Sequence, residues 1–326
     1  MKRLAQRGAA LLAAMLTVAL VATFAAAAVW QQWRAVEVES AERWRTQSAW
    51  LLTGALDWAR LVLREDARAN RTVDHLAEPW AVPLQEARLS TFLAADPNNN
   101  VATDDADGNN VFLAGQIMDM QSLLNINNLA AAGKPAPPEW LRAFDRLFQL
   151  LGLPQSQLVQ LAENLRFAND ISSDNRSAAR APLAPQRVEQ LVWLGLPLQT
   201  AQALAPYVTL LPALTKVNLN TASAEVIFAA AEGLSLAQAQ QLVAARDRQH
   251  FRSVADAVKV LGVEAELLPA AQFSVNTNFF EIRGRLRMDD VVIEQRSVVQ
   301  RNGLDVRTLQ REQGVFEPLP PPALPR

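Results

Sequence analysis

The sequence contains no cysteine, so neither a disulfide framework nor a thiolate metal site is available to it. It has two histidines, His75 and His250, far apart in the chain, and a histidine-based catalytic or zinc cluster is therefore not expected. Each reads as a surface or capping residue. Charge of one sign is also lacking: 31 Lys and Arg face 33 Asp and Glu, so the chain as a whole does not carry the basic bias of a nucleic-acid binder. No nucleophile and base stand in a recognisable pattern, which makes an enzyme the least favoured class. What the chain does have is apolar material. Half of its 326 residues are hydrophobic, enough for a sizeable core and for two domains after the N-terminal segment.

That segment reads MKRLAQRGAALLAAMLTVALVATFAAAAVW. Lys2, Arg3 and Arg7 precede Gly8, and from Ala9 to Trp30 only Thr17 and Thr23 are polar. As a helix rising ~1.5 Å per residue the run is ~33 Å long, enough to cross a bilayer core of ~30 Å. A cleavable secretory signal would have a shorter apolar stretch, although AAAA at 25–28 could serve as its cut site. Trp30 and Trp33 instead stand where interfacial aromatics anchor a span, and the leading cations hold the N-terminus in the cytoplasm while the remainder is exported.

The helical pattern continues past the apolar run. Ala41, Trp44, Ser48, Leu51, Ala55, Trp58 and Val62 recur every three or four residues, which predicts one helix from about 9 to 66 whose second half lays this stripe on the protein's own globular part. DPNNNVATDDADGNN (96–110) is a polar loop; Asp104, Asp105 and Asp107 resemble a cation loop, but Gly108 comes too early for an EF-hand turn, and a solvated turn is the expectation. One or two strands follow over 111–127, and strands return over 273–312, where Phe280, Ile282 and Leu286 share one face. The Pro-rich tail is expected to be unpacked. Between the strands the period is helical, and LLGLPQSQLVQL, WLGLPLQTAQAL, AEGLSLAQAQQL and VLGVEAELLPAA repeat a glycine–aliphatic turn. Gly152, Gly195, Gly233 and Gly262 are placed as the residues that close one helix and let the next fold back. The fold class is α+β: a long N-terminal helix on an antiparallel sheet split by an all-α insertion. The expected boundaries are 1–8 leader, 9–30 transmembrane helix, 31–127 first part of the sheet domain, 128–271 helical insertion, 272–312 returning strands and 313–326 tail.

The stretch 217–263 closely resembles tandem helix-hairpin-helix domains, in which a Gly-hydrophobic-Gly hairpin offers backbone N–H groups to a DNA phosphate. Here Gly233-Leu234-Ser235 and Gly262-Val263-Glu264 lack the second glycine, and 217–273 holds four Lys and Arg against six Asp and Glu. A fold of this type is expected without the DNA function. The local basic group of Arg246, Arg248, His250 and Arg252 reads as a solvated helix end.

A basic leader ending in Gly8, followed by an apolar span that runs on into an amphipathic helix, resembles the N-terminus of type IV prepilins. The resemblance implies that a prepilin peptidase cuts between Gly8 and Ala9. Most pilins and pseudopilins carry Glu at the fifth mature position, where it neutralises a neighbour's N-terminal amine; this chain has Ala13. With Gly115-Gln116-Ile117-Met118-Asp119-Met120-Gln121 running into Leu124-Asn125-Ile126-Asn127-Asn128-Leu129, then Ala205-Pro206-Tyr207-Val208 and Val217-Asn218-Leu219-Asn220-Thr221, the chain resembles the K-type minor pseudopilins of bacterial type II secretion. That resemblance implies a helical domain spliced into a pilin-like sheet and a subunit of the inner membrane with its C-terminal domain in the periplasm. It also implies a place at the pseudopilus tip with I- and J-type minor pseudopilins and the major pseudopilin, and a role in export of folded proteins through an outer-membrane secretin. Calcium is the one cofactor the family suggests, in an Asp-rich loop; the matching stretch 169–175 is thinned in charge and leaves Asp170, Asp174 and Asn175 as candidate ligands. A minor pilin of a type IV pilus is the alternative, and a membrane-tethered DNA-uptake protein a more remote one. If Gly8 is the cut site, mass spectrometry of the membrane form finds an N-terminus at Ala9, and Gly8→Arg leaves the full-length precursor. A mature N-terminus near Ala28 would mean a secretory signal instead.

Overall fold

A computed structural model of the chain describes residues 3–70, 72–90, 111–130, 137–170, 180–288, 291–314 and 316. It divides into two compact units, Met1–Gly54 and Ala55–Arg326. The first is helical: α1 runs over Arg3–Ala69, and in the part that belongs to this unit Leu12, Leu16, Val21, Phe24 and Trp30 all face outward. The helix is long and apolar enough to cross a membrane. Trp30 lies under the guanidinium of Arg34, 5.6 Å from its ring centre, an amphipathic pairing suited to a membrane–water boundary.

The second unit contains a five-stranded sheet in the order β1-β2-β7-β8-β9, formed by Leu84–Arg88, Val111–Asp119, Phe279–Met288, Val291–Asn302 and Asp305–Gly314. All neighbours are antiparallel. The β2–β7 register is unbroken from Val111↔Met288 to Asp119↔Phe280, so a strand finished at residue 119 is resumed at 279. Phe280, Ile282 and Leu286 are buried on β7, as their shared parity requires. The C-terminal part of α1 covers this face: Leu56, Ala59 and Leu63 pack with Trp80, Ile117, Phe280, Ile282 and Val299. Trp80 and Phe280 meet edge to face, with centroids 5.2 Å apart.

The sequence stripe is thus one residue out of register. In this unit the buried line is Leu56, Ala59, Leu63 and Ala67, whereas Trp58 is 44% exposed and Ala55 and Val62 flank the contact. Both lines have helical spacing, and periodicity alone does not choose between adjacent faces when each carries apolar residues. Strand β1 carries no sequence signal, because LQEAR does not alternate apolar and polar residues and only Leu84 and Ala87 are partly buried. The region 111–127 holds two strands, a long one that ends at Asp119, whose carboxylate accepts the Gln121 N–H and turns the chain, and a two-residue one at Leu124–Asn125.

Between β2 and β7 lies the helical part: α2 (Pro138–Leu150), α3 (Gln155–Ala168), a 3-10 segment (Val188–Leu194), α4 (Leu198–Leu204), α5 (Ala224–Ala230), α6 (Leu236–Arg248) and α7 (Val254–Leu261). Two parallel two-residue pairings stitch it: β3 (Leu124–Asn125) with β4 (Val208–Thr209), and β5 (Val217–Asn218) with β6 (Phe273–Ser274). Its core is separate from that under the sheet and is built on Phe144, Leu147, Phe148, Leu161, Leu191, Leu204, Val226, Ile227, Leu242 and Phe273. The fourth glycine turn leads into a 3-10 turn, Ala265–Leu267, and not a helix, since Pro269 follows at once.

The register of α1 is testable by truncation. Leu63→Ala is expected to cost about 2–5 kcal/mol of stability in chemical denaturation, and Trp58→Ala clearly less; the reverse order would put the sheet on the other face of the helix.

Candidate functional site

The site is the polar seam where sheet and helical insertion meet, and Asp119, Gln121, Asn218 and Thr221 of the motifs that carry the family resemblance lie in it. At its centre Arg301, near the end of β8, donates through Nη1 to Asp66 Oδ2 at 2.8 Å and through Nη2 to Asp74 Oδ1 and, at 3.1 Å, to the Thr277 carbonyl. Its guanidinium also lies 4.7 Å from the Phe280 ring centre. Asp74 accepts the Thr277 N–H at 2.8 Å, and its own N–H donates to Val275 O at 2.9 Å. One cation thereby joins the end of α1, the segment after it, β8 and the stretch between β6 and β7 that leaves the insertion. A guanidinium suits this work because its five donors are fixed in one plane.

Asp66, Asp74 and Glu78 bring carboxylate oxygens within 4.8 Å of one another. Arg301 already occupies two of them, and Glu78 accepts from Trp80 Nε1 at 2.7 Å and from the His75 N–H at 3.0 Å, so the group is an ion-pair cluster. Burial, helped by the negative charge of Glu78 and opposed by Arg301, pushes Asp66 up to about 6, and burial also raises Glu78.

Beside it stands Asp119, wholly buried. Its Oδ1 accepts the Gln121 N–H at 2.7 Å; its Oδ2 accepts Asn218 Nδ2 at 2.9 Å and Thr221 Oγ1 at 2.5 Å. Burial pushes its carboxyl up to about 6 against these donors. Asn218 Nδ2 also reaches the Asp74 carbonyl at 3.2 Å, linking the two carboxylate groups. Gln121 completes the seam: Nε2 donates to Lys216 O at 3.0 Å, and Oε1 accepts the Asn278 N–H at 2.8 Å.

The asparagines of both motifs act as detachable backbone. Asn125 exchanges bonds with Leu211 N and Ala213 O, Asn128 with Thr215 N and O, and Asn220 with Phe251 N and O. A carboxamide presents one donor and one acceptor with the spacing of a peptide group, so it satisfies irregular buried chain where no strand can run.

The turn glycines Gly152, Gly195, Gly233 and Gly262 have φ of 66°, 84°, 86° and 62°. Two are doubly constrained, since a Cβ on Gly195 would lie 2.6 Å from Gln160 Nε2 and one on Gly233 2.8 Å from Leu267 Cδ2. At the Gly233-Leu234-Ser235 hairpin the groups a phosphate would need are already engaged: Ser235 N donates to Gln238 Oε1 at 2.9 Å and Gln238 N to Ser235 Oγ at 3.3 Å. Glu232 adds a carboxylate held by Arg142 at 2.7 Å.

Several expectations change here. Arg246 is no solvated cation: it is buried, with Nη1 donating to Leu219 O at 2.8 Å and to Ala222 O, and burial lowers it to about 10. The two histidines, read as unrelated surface residues, stack on each other. Ala9 and Ala13 are exposed on α1. Asp170 follows α3 with its N–H on Phe167 O at 3.3 Å, while Asp174 and Asn175, like Asp104, Asp105 and Asp107, lie outside the described residues. Asp66, Asp74, Glu78 and Arg301 had no sequence signal. Each is an ordinary charged residue in an amphipathic context, and only the closing of the sheet brings them together.

Arg301→Met would leave two buried carboxylates without their cation, an expected loss of about 3–5 kcal/mol near pH 7.5. The loss should shrink toward pH 5. Asp66 takes up a proton in the folded chain between about pH 4 and 6, so near pH 5 its carboxyl is largely neutral and loss of the cation leaves less buried charge unpaired, while what Asp66 contributes falls as pH rises through that window. Denaturation curves at the two pH values check this; a loss independent of pH would contradict it.

Comparison with known proteins follows the same residues. The family described as type II secretion system (T2SS), protein K, matches 122–213 and 217–276, the two stretches that hold the asparagine motifs and, of the seam, Asn218 and Thr221. A type II secretion system protein K of Pseudomonas aeruginosa is 29% identical, over 96% of this chain and 94% of that protein. One of Klebsiella pneumoniae is 28% identical over 95% and 97%. The crystal structure of the GspK-GspI-GspJ complex from enterotoxigenic Escherichia coli contains a chain that superposes with a TM-score of 0.60 at 19% identity, covering 85% of this chain and 99% of that one. The chain belongs to the type II secretion system protein K family, the pseudopilins of that system.

Proposed function

We propose that this minor pseudopilin caps the distal end of a periplasmic pseudopilus, bound to I- and J-type partners, and that it acts as a structural part and not as an enzyme. The observation that carries the reading is the insertion itself: a helical domain with its own core interrupts the sheet between β2 and β7. Such a body has no room between tightly stacked subunits, whereas the end of a fibre leaves it free. The chain resolved with GspI and GspJ in the Escherichia coli complex shares this fold, which supports the same pair of partners here.

Ala13 supports the same place. A subunit inside the fibre needs a carboxylate at that position to meet a neighbour's ammonium in an apolar bundle, and a buried charge without its partner costs several kcal/mol. At the tip no ammonium arrives, and alanine is neutral. The leading cations favour an N-terminus in the cytoplasm, an apolar helix in the inner membrane and the remainder in the periplasm. DNA as a partner is opposed by the engaged donors and the Glu232 carboxylate at the hairpin.

Co-purification of the full chain with candidate I- and J-type pseudopilins tests the assembly. Labelling of sheared pseudopili tests the place: one label at one end is expected, and regular labels along the shaft would overturn the cap. Deletion of the gene is expected to stop secretion. Double-stranded DNA should be bound no better than by an acidic control protein; binding with a steep salt dependence would reveal phosphate contacts.

A further inference from the structure

We propose that the stack of His75 on His250 is an acid-released contact between the segment that follows α1 and the turn joining α6 to α7 of the helical insertion. The two rings are parallel within 10°, with centroids 3.8 Å apart, and they are the only histidines of the chain. They bridge parts of the molecule that the covalent chain keeps far apart.

The geometry favours the neutral pair. His75 Nδ1 accepts the Ala77 N–H at 3.2 Å, so the ring's single proton sits on Nε2, 3.8 Å from Glu78 Oε1. A second proton would turn Nδ1 into a donor pointing at a donor. Protonating His250 as well would set two cations face to face at van der Waals distance, where they repel strongly. Charged neighbours divide by side. Asp74 and Glu78 face His75, with Arg301 beyond Asp74. Arg248 from α6, Arg252 from the turn and Asp256 from α7 line the groove that holds His250, and Asp256 is engaged at the Ser253 N–H at 3.1 Å.

The titration behaviour agrees with the contacts. Burial lowers His75 despite Asp74; burial, then His75 and Arg252, lower His250. Histidines that resist protonation when folded contribute their stability above the ordinary value of about 6.5, and lose it as pH falls through that value toward their own. The carboxylates respond in the opposite sense, because Asp66, Glu78 and Asp119 take up protons more readily when folded. Acid therefore loosens the stack while the rest of the seam holds, which makes the release local and not a global unfolding.

The test is hydrogen–deuterium exchange by mass spectrometry on the full chain in detergent micelles, corrected for the intrinsic effect of pH. On going from pH 7.5 to 5.5 the wild type should exchange roughly tenfold faster in peptides covering 72–78 and 249–253, with the α2–α3 peptides unchanged. In the double variant His75→Phe/His250→Phe the flat rings remain and neither takes a charge, so protection should persist at both pH values; His250→Ala should lack it at both. If that double variant packs poorly, seen as lost protection at pH 7.5, the single variants His250→Phe and His75→Phe, which remove the facing pair of cations, should each exchange less at pH 5.5 than the wild type. Wild-type protection that does not change with pH would overturn the proposal. So would acid release in the double variant His75→Phe/His250→Phe that keeps its protection at pH 7.5, which would assign the effect to the carboxylates.

Discussion

The guanidinium of Arg301 is the contact on which the second unit depends. A sheet interrupted between β2 and β7 needs something to hold the interruption in place, and covalent connection through two short segments is not enough. Arg301 supplies it from β8 by engaging Asp66 on α1, Asp74 beyond it and the Thr277 carbonyl at the return from the insertion. A buried arginine is expensive unless every donor is used, and here its burial is offset by two carboxylates, a carbonyl and an aromatic face.

Around that centre the seam is built from side chains that stand in for backbone. Asn125, Asn128 and Asn220 each complete a pair of hydrogen bonds for buried irregular chain, and Gln121 and Asn218 join one strand end to the next. Asp119 and the Asp66 cluster leave carboxylates in a place where burial resists ionisation. The same polar groups that fix the seam therefore make it sensitive to protons.

The helix-hairpin-helix likeness is explained by the same economy. The hairpin keeps the glycine that the turn requires and has given its free N–H groups to a Ser235–Gln238 capping box. The unit persists as a rigid way to fold three short helices on each other, and Arg246, turned inward onto the Leu219 and Ala222 carbonyls, serves as its internal clasp.

Elements with a strong local period were legible in the sequence. The long helix, β2, the β7–β8 hairpin and the glycine turns follow from apolar spacing and from the backbone freedom of glycine, which are properties of neighbouring residues. What only the tertiary structure decided depends on distance through space. The face of α1 that meets the sheet, Leu56-Ala59-Leu63 and not Ala55-Trp58-Val62, is settled by which side chains fit against Phe280 and Ile282, and both faces look alike in one dimension. The edge strand β1 is written by its neighbour's hydrogen bonds and not by its own composition. The asparagine motifs announced a family without saying why they are asparagines, since the carbonyls they satisfy lie more than eighty residues away in the case of Asn125 and Asn128. The joining of Asp66, Asp74 and Glu78 on Arg301, and of His75 on His250, left no sequence trace because charge and aromaticity interact across space, and the chain order that a sequence records carries no such distance.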